Sequence, residues 1–244
     1  MITIGRSIRW YNDYMSEVEF NKKHDFDFMQ IWFKDGQIVI DNIDEPKEAY
    51  IKKVGYPVII HAVFTIDDFE KYGEQLLDIL SYLGHKEVIV HPVPRGEENH
   101  KDTADELAEV VHSFSLKTRE RDITLYLENN SILDKFFYTE EEIKMVFNSN
   151  PYVELLFDVA HIDSYKHMDK IINAKYPKCL HAAGKHFNVV HEHLPLGQGD
   201  IDYNLVFSKY LKEYEGRVIL EVVDEDEEII QSKKIIDKAV FCIK

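Results

Sequence analysis

The chain has 244 residues, 45% apolar and 12% aromatic, which is enough to bury a full core and excludes a mainly disordered polypeptide. Its 45 acidic against 29 basic side chains leave a net charge of −16, a surface that repels phosphate backbones, so nucleic acid is not an expected partner. Apolar runs such as Pro57–Ile60 and Val88–Val90 are far shorter than the roughly 18 residues of a membrane helix, Met1–Trp10 carries two arginines and no apolar h-region, and Cys179 and Cys242 make no disulfide framework; a soluble cytoplasmic protein is expected.

Short apolar runs alternate with longer segments of helical period, the pattern of βα units on a parallel sheet. The predicted strands are Ile2–Gly5, Phe26–Trp32, Pro57–Ala62, Glu87–Pro92, Ile123–Asn129, Val153–Val159, Lys178–Ala182 and Arg217–Val222. Gly5-Arg6-Ser7 is a poor glycine-rich nucleotide turn, which argues against a doubly wound open sheet. With no linker or composition break, the eight units are expected to close as a single (β/α)8 TIM barrel over residues 1–244. Trp10, Tyr11, Tyr14, Phe28, Trp32 and Phe33 cluster around the first two strands, mostly as core, and could wall one side of a pocket. Thr65 with Asp68 and Thr103 with Glu106 read as capping boxes, and Gly84 and Gly216 as helix ends. Between them Phe69, Tyr72, Leu76, Leu80 and Leu83 fall three or four apart, as do Leu107, Val110, Val111 and Phe114, giving apolar stripes to lie on a sheet. The acidic run Asp224–Glu228 reads as the solvated first turn of a last helix.

The strand ends carry the chemistry. Val58-Ile59-Ile60 ends in His61, Val88-Ile89-Val90 in His91, Leu125-Tyr126-Leu127 in Glu128, Leu155-Leu156-Phe157 in Asp158, Cys179-Leu180 in His181, and Val218-Ile219-Leu220 in Glu221. In a barrel these six positions ring the C-terminal mouth, where active sites of this architecture are built. Three carboxylates and three imidazoles packed there would be costly without a cation, since like charges repel and desolvation adds to the cost. Asp158-Val159-Ala160-His161 adds an imidazole three residues after a strand-end carboxylate. In His191-Glu192-His193, alternate residues of an extended segment put two more on one side. The following Leu194-Pro195-Leu196-Gly197-Gln198-Gly199-Asp200-Ile201-Asp202 could offer backbone N–H groups to an anion near a helix that Asp202 caps.

Ile60-His61, Val90-His91-Pro92, Leu127-Glu128-Asn129, the Asp158–His161 element, Leu180-His181, His193 through Asp202 and Leu220-Glu221 follow one another in an order that resembles the xylose-isomerase-like TIM barrel superfamily. That group holds sugar-phosphate isomerases and epimerases together with endonuclease IV. The resemblance implies a central metal site on Glu128, Asp158, His181 and Glu221. Its endonuclease IV branch implies a second on His61, His91 and Glu128, and a third on His161, His191 and His193, with His191 standing where that branch has an aspartate. The seventh strand departs too, since His181-Ala182-Ala183-Gly184 lacks the aspartate that usually follows.

The implied cofactor is a divalent metal, zinc, manganese or magnesium, as one to three ions. Three functions follow. The first is an isomerase or epimerase of a small sugar or sugar phosphate, with Glu128 and Glu221 exchanging a proton with the substrate, His161 on a hydroxyl, and Lys185 or Arg6 on a phosphate. The second is an endonuclease IV-like multi-zinc phosphodiesterase, opposed by the charge and by the acidic loop 94–99. The third is a catalytically silent metal- or sugar-binding barrel. The expected partner is the small molecule; no membrane is expected, and a homo-oligomer is compatible with the sequence.

Overall fold

The structure, a computed structural model, describes residues 1–96 and 102–241. Cys242 and residues 97–99 of the acidic loop lie outside the described residues.

The described residues form nine strands: β1 (Thr3–Ser7), β2 (Phe28–Lys34), β3 (Gln37–Val39), β4 (Val58–Phe64), β5 (Glu87–Pro92), β6 (Thr124–Glu128), β7 (Glu154–Asp158), β8 (Cys179–Ala182) and β9 (Arg217–Leu220). All but β3 run parallel in the order β1-β9-β8-β7-β6-β5-β4-β2, and β1 also pairs β2, so the ring closes and the open-sheet alternative is excluded. β3 is an antiparallel addition to β2 across a turn at Asp35 and Gly36, both at positive φ. The helices α1 (Tyr14–Lys23), α2 (Lys47–Val54), α3 (Asp68–Leu83), α4 (Ala104–Glu120), α5 (Glu140–Ser149), α6 (Tyr165–Ala174), α7 (Tyr203–Leu205, prolonged by a π-helical turn to Tyr210) and α8 (Asp226–Phe241) lie between the parallel strands and after the last.

The expected stripes hold: Phe69, Leu76 and Leu80 of α3 and Leu107, Val111 and Phe114 of α4 are buried against the sheet. Thr103 and Glu106 form a reciprocal capping box, and so do Thr139 and Glu142 at α5. At Thr65 only half of the expected box forms. Asp68 accepts from the Thr65 backbone and hydroxyl, but α3 begins at Asp68 itself and no side chain caps it. Gly84 ends α3 in the left-handed region. Gly216 is not a helix end. It passes the Lys178 carbonyl too closely to admit a side chain.

Inside the ring, side chains stack by the two-residue period of a strand. Phe28, Ile59, Ile89, Tyr126, Leu156, Cys179 and Ile219 form one buried apolar cluster. Gly5 leaves room for Phe28, because a Cβ there would stand 2.5 Å from its ring. Two residues beyond each member of this plug, on the same face, come Gln30, His61, His91, Glu128, Asp158, His181 and Glu221. The period thus lifts all six strand-end candidates onto an apolar floor at the C-terminal mouth. Arg6, one residue past the inward Gly5, points outward instead. Its guanidinium donates to Glu17 at 2.7 Å, Asn21 at 2.5 Å and the Ser7 carbonyl at 3.1 Å, behind the sheet.

Candidate metal centre

Six elements deliver the site. β6 and β7 end on Glu128 and Asp158, and β8 carries His181. Glu221 follows β9, its N–H bonded to the Ala182 carbonyl at 3.0 Å. His61 and His91 come from β4 and β5. One Asp158 oxygen accepts from the Ala160 N–H at 2.6 Å, capping the short turn Val159–His161 that swings His161 back into the mouth.

His193 reaches the site from a long loop. Gly184 and Leu194 exchange backbone bonds of 2.6 and 2.8 Å, and a Cβ on Gly184 would meet the Gln198 carbonyl at 2.5 Å. The glycines of this segment serve close packing. Asp202 caps the next turn with its own carboxylate, which bonds the N–H groups of Asn204 and Leu205 that an anion would have needed.

The ligand atoms of Glu128, Asp158, His181 and Glu221 all lie within 4.8 Å of one another; the same holds for His61, His91 and Glu128, and for Asp158, His161 and His193. His181 Nδ1 stands 3.4 Å from Glu128, 3.3 Å from Glu221 and 3.9 Å from Asp158. His193 Nε2 stands 3.2 Å from Asp158 and 3.1 Å from Glu221. His191 joins none of these sets, though its ring packs 5.0 Å from that of His193 and lines the same cavity.

Five buried atoms of this constellation have no hydrogen-bond partner: His61 Nδ1 and Nε2, His91 Nε2, Glu128 Oε2 and His181 Nδ1. His61 Nε2 and Glu128 Oε2 are 2.9 Å apart, yet they are not aligned as a hydrogen bond. An orphaned buried polar atom costs about 1–3 kcal/mol, so five in one place mark a guest. Imidazole nitrogens mixed with carboxylate oxygens suit a divalent metal, and the residues fit one.

The electrostatics agree. Burial alone would raise the Glu128 carboxyl, but His91, His181 and His61 hold it well below the usual range. Glu221 behaves alike, with His181 and His193 outweighing its burial. Burial would lower His181 and His193, but the facing carboxylates raise both well above an ordinary imidazole. A field that grips a proton so firmly would also grip a cation.

Behind His181, Gln30 accepts from Nε2–H at 2.8 Å and donates to the Ser7 hydroxyl at 2.8 Å. This chain fixes the His181 ring with Nδ1 facing the carboxylates, where a metal would take the place of a proton. His161 is oriented likewise, by a 2.8 Å bond from Nδ1 to the Asn129 carbonyl.

Above the ligands opens a cavity of about 370 Å³, lined by His61, His91, Glu128, His161, His191, His193 and Glu221 together with Trp10, Trp32, Val63, Val93 and Val223. Of the early aromatic cluster, Trp10 and Trp32 stack here with centroids 5.3 Å apart, Tyr14, Phe28 and Phe33 are core, and Tyr11 is exposed. Neither residue expected at a phosphate lines it. Arg6 is spent on Glu17 and Asn21, and Lys185 is buried with its ammonium on the carbonyls of Ile162 at 2.8 Å and Val190 at 3.2 Å, where it ties down the His193 loop.

The chain belongs to the xylose isomerase-like TIM barrel family, whose model matches residues 18–240. No curated protein matches. Among solved structures, one of a D-tagatose 3-epimerase-like protein is similar over 99% of this chain and 98% of its own, at 19% identity and a TM-score of 0.76. A D-allulose 3-epimerase from Methylomonas sp. is similar over 98% of both chains, at 15% identity and 0.72. A D-psicose 3-epimerase from Clostridium cellulolyticum H10 covers 99% of both, at 13% and 0.69. At these identities the likeness is one of fold. Among the described residues no helix is long and apolar enough to cross a membrane.

Proposed function

We propose that this chain is a metal-dependent isomerase or epimerase of a small sugar or sugar phosphate, with Glu128 and Glu221 as its proton-transfer pair. The observation that carries the reading is the convergence of Glu128, Asp158, His181 and Glu221 within 4.8 Å at the floor of a cavity of small-molecule size. The solved structures named as sugar 3-epimerases support the substrate class.

Glu128, Asp158, His181 and Glu221 would hold a divalent ion, zinc, manganese or magnesium, which when bound supplies Lewis-acid polarisation of the substrate's carbonyl and hydroxyl oxygens and acidifies the adjoining C–H. Glu128 and Glu221 enter from β6 and β9, three strands apart in the ring. In this reading one carboxylate takes the proton from the substrate carbon, and the other delivers a proton to its opposite face. Their imidazole neighbours favour the ionised form, the form in which a carboxylate can take the substrate's proton. His161, held from behind by Asn129, turns its other nitrogen toward a substrate hydroxyl. The apolar plug below closes the floor of the site.

The test is solvent deuterium incorporation into a panel of ketoses and ketose phosphates by the metal-loaded protein. Exchange at the carbon beside the carbonyl, lost in both Glu128→Gln and Glu221→Gln, is the expected result; no exchange with any member overturns the reading.

One observation favours a second reading. His61, His91 and Glu128 close as a separate trio with unpaired buried atoms, and Asp158, His161 and His193 close as another. With His191 beside them, these could seat two or three zinc ions and hydrolyse a phosphodiester. Two or more zinc ions per chain and cleavage of bis(p-nitrophenyl) phosphate would establish it. A full metal complement with neither activity would leave a binding barrel.

A further inference from the structure

The strand period that builds the metal floor runs one step higher on half of the ring. Gln30 is followed two residues on by Trp32, His61 by Val63, His91 by Val93 and Glu221 by Val223, and all four line the cavity with Trp10. They come from β2, β4 and the segments after β5, β9 and β1, which are consecutive around the barrel. On the other half the same step reaches Asn130, Ala160 and Ala183, which are buried and line no part of the cavity. Above its metal ligands the cavity is therefore one-sided, with an apolar collar facing the β6–β8 side. The collar has one buried hydrogen-bonding atom without a partner, the Trp32 Nε1 donor.

We infer that this collar selects an uncharged α-hydroxyketone whose end remote from the reacting carbons lacks hydroxyl groups, as in a terminally deoxygenated sugar. The inference rests on the isomerase reading for where the substrate's reacting carbons lie. A hydroxyl pressed against Val63, Val93 or Val223 loses water and finds no partner, whereas a methyl or methylene there gains apolar burial. Each such hydroxyl weakens binding by about tenfold.

Trp10 and Trp32 are the chain's only two tryptophans, so selectively excited tryptophan emission reports on this wall. The experiment titrates the metal-loaded protein with the four D-ketohexoses, their 6-deoxy counterparts and their 6-phosphates, following tryptophan emission and, in parallel, solvent deuterium incorporation. The expected result is that at least one 6-deoxy ketose binds about tenfold more tightly than its parent, with the phosphate weakest. Val93→Thr and Val63→Thr, which exchange a wall methyl for a hydroxyl, should each shrink that preference. Equal or tighter binding of the parent sugars, or no emission change with any ligand at millimolar concentration, overturns the collar proposal. Deoxy-selective binding without deuterium exchange would overturn the proton-transfer reading while leaving the collar intact, so the two failures are distinguishable.

Discussion

Two buried charged clusters stand on opposite sides of the barrel wall. Behind β1, Arg6 and Arg9 share Glu17, with Asn21 and Asn12 completing the set, and none of their buried side-chain nitrogen or oxygen atoms is left unpaired. At the mouth, five atoms of His61, His91, Glu128 and His181 are left unpaired at similar depth. A cluster that only supports the fold closes on itself, because every open donor or acceptor costs stability. One built for a guest keeps its open atoms aimed at a common point, and offsets their cost elsewhere in the core.

Substitutions should separate the two clusters cleanly. The largest effect is expected at Glu128→Gln, which should slow substrate proton exchange about a thousandfold while moving Tm little. Glu17→Gln should do the reverse. It strands the Arg6 charge in a buried site and should cost about 3 kcal/mol of stability by denaturant melts, with metal affinity unchanged. If Glu17→Gln lowered metal affinity as much as Glu128→Gln, the division would fail.

Acid should distinguish them as well. Burial would raise the Glu17 carboxyl, but Arg6, Asn12 and Arg9 outweigh it and hold it below its ordinary value. A carboxyl depressed in the folded state contributes stability that is present above its unfolded value of about 4.3 and lost as pH falls through the lower folded value. Glu17→Gln should therefore flatten the acid limb of a stability–pH curve. Metal added at a hundred times its Kd should raise stability by about 2.7 kcal/mol at neutral pH. Gln30→Leu should weaken metal affinity about tenfold to a hundredfold by freeing the His181 ring, with a changed imidazole ¹⁵N spectrum. The smallest effect is expected at Thr103→Ala, about 1 kcal/mol from one lost helix cap, with no change at the mouth.

What could be read from the sequence follows the strand period. Eight apolar runs and the polar residue closing six of them are local patterns, so the barrel and the convergence of its strand-end residues were legible without coordinates. The same period, applied more strictly, would have turned Arg6 outward, since Gly5 and Ser7 share the inner face. It would also have flagged Gln30, a lone amide inside the apolar Phe28–Phe33 run. Asp35-Gly36 is a local hairpin signal for β3, and Thr139 with Glu142 a local capping box for α5. Lys185 obeys no such rule. Its place is set by the 184–199 loop, where long-range backbone bonds decide the path, and nothing local in the sequence announces that its ammonium ties that loop down.

The most direct test is metal-edge anomalous diffraction from crystals of the metal-loaded protein. The account predicts a strong peak coordinated by Glu128, Asp158, His181 and Glu221, lost on Asp158→Asn. A stoichiometric ion held elsewhere, or none at saturating metal, would contradict it.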